Sequence, residues 1–184
     1  MLKLTHIKAL LLFVPSEPVA DRPFLNGLTI TADYAIGASS PFAAVIRGGI
    51  PGLTAPLFVP VEHARLITGD VLAAAVDGRQ VTLLTSAGMI CYETDPVKTS
   101  DMSTLRCAFP TTPSGYSVQF NPDLVRVFED AAELLTGARR HIMRHGGQSA
   151  AAIISIPDFP DFFGALMPRK VSGEFHATRP EWFL

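Results

Sequence analysis

Three times along this chain, near residues 5, 60 and 121, a short helix signal is followed by about three strand signals. No residue-level repeat accompanies the pattern, so the period is one of architecture rather than of sequence. Short helices laid on antiparallel strands give an α+β class. That restricts the chain to layered folds in which each helix buries one stripe against a sheet.

The individual signals are local. Leu2–Thr5 alternates like a short strand, and His6–Val14 reads as a helix stopped by Pro15. Phe24–Ala32 reads as a strand with an Asn26-Gly27 turn or bulge, Phe42–Arg47 as a second strand and Leu57–Val59 as a third. Pro60 suits the first turn of a helix carrying Val61, Ala64, Leu66 and Ile67 and ended by Gly69. Strands follow at Val71–Val76, Gln80–Thr85 and Met89–Glu93, with Asp77-Gly78 and Ala87-Gly88 as the turns. Asp95–Ser103 is polar and aperiodic and reads as a linker. The strongest helix starts at Asn121, a natural N-cap followed by Pro122, and closes on Gly137. Leu124, Val127, Phe128, Ala131 and Leu134 form its apolar stripe, opposite Arg126, Glu129, Asp130 and Glu133. Strands are expected at Arg140–Arg144, Ala150–Ile156 and Phe162–Met167, with a turn at Pro157–Pro160.

Composition bounds the function. With 48% hydrophobic and 17% charged residues the chain can bury a substantial core. A formal charge of -2 argues against holding nucleic acid through a large basic surface, although a few inward basic residues remain compatible with loose encirclement. Cys91 and Cys107 form no CxxC and read as reduced, partly buried thiols. The apolar run Ala9–Val14 is too short for a signal or a membrane span, so the expectation is a cytoplasmic chain without membrane contact.

Some residues carry a more specific likeness. Phe109-Pro110, then Phe120-Asn121-Pro122-Asp123-Leu124 opening the helix, then Phe163-Gly164-Ala165-Leu166-Met167-Pro168-Arg169, resemble the C-terminal part of bacterial-type DNA polymerase sliding clamps (the polymerase III beta subunit). The pattern looks closest to the short clamp-like proteins of phages. Lys8–Ser16 and Arg22-Pro23-Phe24-Leu25-Asn26-Gly27 are similar, more loosely, to the first helix and strand of that family. Three features depart from it. Ala38-Ser39-Ser40-Pro41-Phe42 stands where clamps carry a Thr-Asp-Gly-His-Arg-like loop, which alters half of the family's peptide pocket. The chain has three helix-plus-strands units where a clamp domain has two. A tail, Val171–Leu184, ends Glu181-Trp182-Phe183-Leu184 beyond the usual stop.

The resemblance implies a clamp-like domain over 1–98, a partial second unit over 99–170 and a tail over 171–184. It also implies a groove for client peptides lined by Asn121, Leu124, Ala151, Ile153, Met167, Pro168 and Arg169. Such a groove is an apolar slot with a few polar anchors. The plain alternative is a helix cap, core residues and a strand end, and Trp182-Phe183-Leu184 could itself fill the slot. Lys8, His63, Arg65 and Arg126 lie on the three predicted helices and are the candidates to face DNA, against the alternative of an ordinary solvated surface.

Catalytic signals are poor. There is no GxSxG, no GxxxxGK[ST] and no GxGxxG. His141 and His145 would share a metal only on a helix, since on a strand they lie about 13 Å apart. Asp158 and Asp161 flank a turn and read as turn residues.

The expected function is therefore a non-enzymatic, cofactor-free processivity factor that tethers a polymerase or other client to duplex DNA. Client contact would run through a short linear motif, DNA contact would be weak and sequence-independent, and the chain would form a homo-oligomer. The rival is a clamp-fold module that binds replication proteins without encircling DNA. A small metal-dependent enzyme using His141, His145 and Asp158 is a distant third.

Overall fold

An antiparallel sheet with α-helices packed on one of its faces organises this molecule. The computed structural model describes residues 1–94, 118–146 and 150–169. The chain runs α1 (Leu4–Leu11), β1 (Gly27–Ile30), β2 (Tyr34–Ser39), β3 (Phe42–Arg47), β4 (Leu57–Pro60) and α2 (Val61–Ala64). It continues with β5 (Val71–Asp77), β6 (Gln80–Thr85), β7 (Gly88–Glu93), α3 (Pro122–Thr136), β8 (Ile142–His145), β9 (Ala152–Ile156) and β10 (Phe159–Leu166). The strands form a seven-stranded sheet in the order β4-β1-β2-β3-β10-β9-β8 and a three-stranded sheet β5-β6-β7. Because β3 pairs with β10, the larger sheet joins strands from either side of residues 95–117. The expected division near residue 98 lies outside the described residues.

Register decides which side chains meet the helices. Across the sheet, Leu28, Gly37, Ala44, Gly164, Ile154 and Met143 are successive partners in one row. Small residues at its middle let the helices sit close. A Cβ on Gly37 would collide with the Leu10 carbonyl of α1, and one on Gly164 with the Phe128 ring of α3. α1 and α3 pack against each other above this row, and α2 packs beside α1. Phe13 fills the space between them, fully buried, with its ring 4.8 Å from Phe128 and 6.1 Å from Phe162. The Phe13–Phe128 contact is edge-to-face, a geometry that adds about 0.5–1.5 kcal/mol beyond the area it buries.

The opposite face alternates with the first. Ile36, Ala38, Ala43 and Val45 point that way and form a small second cluster beneath Leu25, which sits in the 3-10 turn Pro23–Leu25. Further along, Ile142, Arg144, Ile153 and Ala165 lie on this face, as their register shows.

Several local expectations give way to tertiary structure. Leu2 makes only an isolated bridge to Val71, and the first helix starts at Leu4. Tyr34–Ser39 is a strand although its Gly37 and alanines carry little strand propensity, because the hairpin with Phe42–Arg47 pairs it along its length. The helix expected over 60–69 is one turn, Val61–Ala64, and leaves Leu66 61% exposed. Phe159 and Pro160 belong to β10 rather than to a turn; the register shifts between Phe159 and Phe163, where a proline costs no ladder bond. Leu134 is 41% exposed, and Ala132 takes the buried place on α3. Cys91 is exposed rather than partly buried, since it lies on the solvent side of the three-stranded sheet across from Thr82. The expected linker, Phe109-Pro110, Cys107 and the tail lie outside the described residues.

α3 itself forms where the sequence places it. Asn121 Oδ1 accepts the Asp123 N–H at 3.0 Å, Pro122 takes the first helical position, and Gly137 ends the helix at φ 78.

Candidate functional site

At one end of the larger sheet three chain segments converge. The Met167 N–H donates to the Pro41 carbonyl at 3.1 Å, and the Arg169 N–H donates to the Gln119 carbonyl at 2.8 Å. Met167–Arg169 is thereby held between the β2–β3 turn and the lead-in to α3. Leu166, one residue earlier, pairs with Phe42 on one side and Ala152 on the other. Phe120 closes the edge, its ring centroid 6.4 Å from that of His145. The altered segment Ala38–Phe42 is thus a direct neighbour of Met167, so the substitution of that loop and the strand end belong to one place.

The expected groove residues divide between two faces at this end. Leu124 is half-buried and packs into the main core beneath α3. Ile153 lies on the opposite face, paired with Ala165, and alternation turns Met167 the same way after the buried Leu166. Ala151 is 3% exposed and contributes little surface, whereas Met167 is 40% exposed. Asn121 spends its side-chain oxygen on the helix cap, Pro168 is half-buried and Arg169 is exposed. Asn121 and Met167–Arg169 are brought close through the Gln119 backbone; Leu124 is not on the same surface as Ile153 and Met167.

The basic candidates are spread over the helix layer. Lys8 is exposed on the last turn of α1, Arg65 at the C-terminal end of α2 and Arg126 on α3. His63 is half-buried, with its ring stacked on Tyr92 at 4.6 Å and 18°, so that it ties α2 to β7. Tyr92 is held there by its hydroxyl, which donates to the Phe58 carbonyl at 3.2 Å, and burial pushes its phenol pKa up. An open cleft of about 610 Å³ runs along α3 between Phe120 and Arg139. Arg126 and Arg139 face Asp123 and Glu129 within it, so it is not an anion pocket. Arg139 is further committed to Glu133 at 2.9 Å and Asp130 at 3.2 Å.

The minor metal reading finds a strand. His145 ends β8 and His141 precedes it, and among the described residues no group of three or more potential ligands could hold a metal ion. Asp158 accepts a hydrogen bond from Arg140 at 2.6 Å in the turn between β9 and β10. No helix among the described residues is long and apolar enough to cross a membrane.

Sequence reasoning did not single out Pro41, Gln119 or Phe120's place at the edge. Two of these act through backbone carbonyls, which leave no residue signature. Ile142 and Arg144 as part of an outer surface also went unseen, because only the β8–β9 register puts them beside Ile153.

Neither a family model nor a curated protein matches this chain. Solved structures do. The Thermotoga maritima DNA polymerase III beta subunit aligns with a TM-score of 0.69 at 11% identity, over 93% of this chain and 65% of its own length. The Caulobacter crescentus beta sliding clamp aligns with a TM-score of 0.66 at 13% identity, over 91% and 64%. The Helicobacter pylori beta clamp bound to a DNA ligase peptide gives 0.64 at 8%, over 91% and 63%. This chain spans about 64% of the length of the clamps it matches. At such identities the likeness establishes the fold, which is the α+β fold of the bacterial sliding clamps.

Proposed function

We propose that this chain is a sliding-clamp-like processivity factor, which tethers a polymerase or another replication client to duplex DNA without covalent chemistry. The observation that carries the reading is the helix layer. Two helices lie side by side over one face of a continuous antiparallel sheet, as the clamp fold arranges them, with Lys8 and Arg126 exposed on them. A few cations on such a layer give weak, sequence-independent phosphate contact that salt removes steeply. The client would dock at the other surface, near Met167, Pro168 and Arg169, through a short peptide with apolar side chains. The clamp-like body and the partial second unit would together supply part of a ring, completed by further copies of the chain. Unpaired edges at β4 and β8 are available for such pairing among the described strands.

A clamp-fold module that binds replication proteins without encircling DNA is the second reading. The acidic character of α3 favours it: Asp123, Glu129, Asp130 and Glu133 share the helix with Arg126, and like charge repels phosphate.

Retention on DNA circles separates the two. A ring loaded on circular duplex stays after a salt wash and is lost when the circle is cut, because topology resists escape whatever the contact energy. Equal retention on circular and linear DNA leaves the interaction-module reading. Tight, sequence-selective binding to linear DNA contradicts both.

A further inference from the structure

We propose that Arg144 selects the client: the surface at Met167 continues across β9 to β8, where Arg144 calls for a peptide with a carboxylate near its apolar anchor. The inference rests on the proposed client docking at Met167 and names the chemistry of that client. It does not depend on whether the chain encircles DNA.

The direction of the surface follows from what packs beside it. On the sheet face opposite the helices, the β2–β3 half is taken up by the chain itself, since Leu25 packs there on Ile36, Ala43 and Val45. The β8–β9 half carries Ile142, 42% exposed, and the half-buried Ile153. Arg144 pairs with Ile153, and Ile153 with Ala165. Ile142 lies two residues before Arg144 and Met167 two residues after Ala165, so both sit diagonal to Ile153, on opposite sides of it. Diagonal neighbours on one face are about 7–8 Å apart, which makes the line from Met167 through Ile153 to Ile142 about 15 Å long. That line is a floor for apolar side chains, and Arg144 stands beside its middle.

The chemistry of the client follows from charge. Arg139 is committed to Glu133 and Asp130, and Arg140 to Asp158. Arg144 is exposed and makes no ion pair among the described residues. Its neighbours on the same face, Ile142, Ile153 and Ala165, offer it no carboxylate. A guanidinium so placed can meet a carboxylate with two N–H donors, whereas a lysine or arginine at the same point of a peptide is repelled. Met167 lies two strands and one same-face step away from Arg144, about 12 Å by strand spacing and rise. An extended peptide covers that distance in about three or four residues, which sets the interval between its apolar anchor and its carboxylate.

The test uses the full chain and short fluorescein-labelled peptides that share a Leu-Phe pair. They differ at one position, three or four residues from the pair on its N-terminal or its C-terminal side, which is Asp, Asn or Lys. On one of the two sides, fluorescence anisotropy is expected to rank them Asp, then Asn, then Lys, with Asp about three- to tenfold tighter than Lys at low salt. The ranking should shrink at about 0.5 M salt, where the screening length is roughly 4 Å. Arg144→Gln should abolish the order and Arg144→Glu reverse it, while the Asn peptide binds both variants about as it binds the parent. Circular dichroism checks that the variants are folded. Asp and Lys peptides bound equally by the parent on both sides overturn the proposal. So does a preference for Asp that Arg144→Glu leaves unchanged, because another cation is then its source. Peptide binding that shows no charge preference but is lost in Met167→Lys keeps the client site and removes Arg144 from it. A preference that follows Arg144 yet survives Met167→Lys supports Arg144 and overturns Met167 as the anchor. No binding of any peptide by the parent overturns the proposal together with the client site.

Discussion

The Asp70 carboxylate accepts the N–H of Leu4 at 2.8 Å, so an acidic side chain from 66 residues away caps the start of α1. The helix needs it, because Lys3 at its N-cap position makes no side-chain cap bond and no acidic residue lies in its first turn. The carboxylate also favours the positive end of the helix dipole. Asp70→Ala is expected to lower unfolding stability by about 0.5–2 kcal/mol, the usual cost of losing a cap. Asp70→Asn, which keeps the acceptor, should cost less. Urea titration of the two variants measures the difference.

His6 stands in the same corner and sets a pH dependence. It is 6% exposed and its ring lies edge-on to Phe159 at 5.3 Å. Burial, and then Lys3, lower its pKa from 6.5, against the opposing pull of Asp70 and Asp161. A histidine whose folded pKa lies below its unfolded value binds fewer protons when native. Its contribution to stability is full above the unfolded value and falls as pH drops from about 6.5 toward the folded value. The denaturation midpoint should therefore decline between pH 7.5 and 5.5 in the parent and more shallowly in His6→Asn. A parent midpoint that is flat over this range would contradict the assignment.

Gly164 is where the sheet comes close to α3. Gly164→Val must push the Phe128 ring aside in a packed core, with an expected cost of about 1–3 kcal/mol and no effect at the outer face. Urea unfolding of the variant beside the parent measures the loss.

Leu124 and Met167 should respond differently to truncation. Leu124 is half-buried against the core, so Leu124→Ala is expected to cost about 1–2 kcal/mol of stability. Met167 is part of the proposed client surface, so Met167→Ala should leave stability nearly unchanged. It should weaken binding of a leucine–phenylalanine peptide by about 5- to 150-fold. Peptide titration alongside denaturation distinguishes them. Unaltered affinity in Met167→Ala would move the client site elsewhere.

Contact with DNA should be modest and electrostatic. Charge reversal at Lys8 or Arg126 is expected to weaken binding to linear duplex and to flatten its salt dependence by about one unit of slope per lost contact. Retention on circles should survive either change. His63, stacked on Tyr92, should instead show a stability loss on substitution by alanine, measured by thermal unfolding.

Elements whose causes are local are legible in the residues alone. α3 is written out in Asn121, Pro122 and Gly137, because cap, first turn and left-handed stop each depend on one residue. The meander β5-β6-β7 is likewise written in alternation and two glycine turns. Those pieces, with the likeness around Asn121 and Met167, were enough to reach the α+β class and the clamp fold. The rest depends on contacts between distant parts of the chain. Tyr34–Ser39 became a strand through its partner, α1 found its cap in Asp70, and the loop at Ala38–Phe42 came to adjoin Met167 through the Pro41 carbonyl. The two faces of the sheet, which part Leu124 from Ile153 and Met167, were also beyond local reading. A strand's alternation says that neighbours point opposite ways, but which way is inward depends on register against a partner and on where the helices lie.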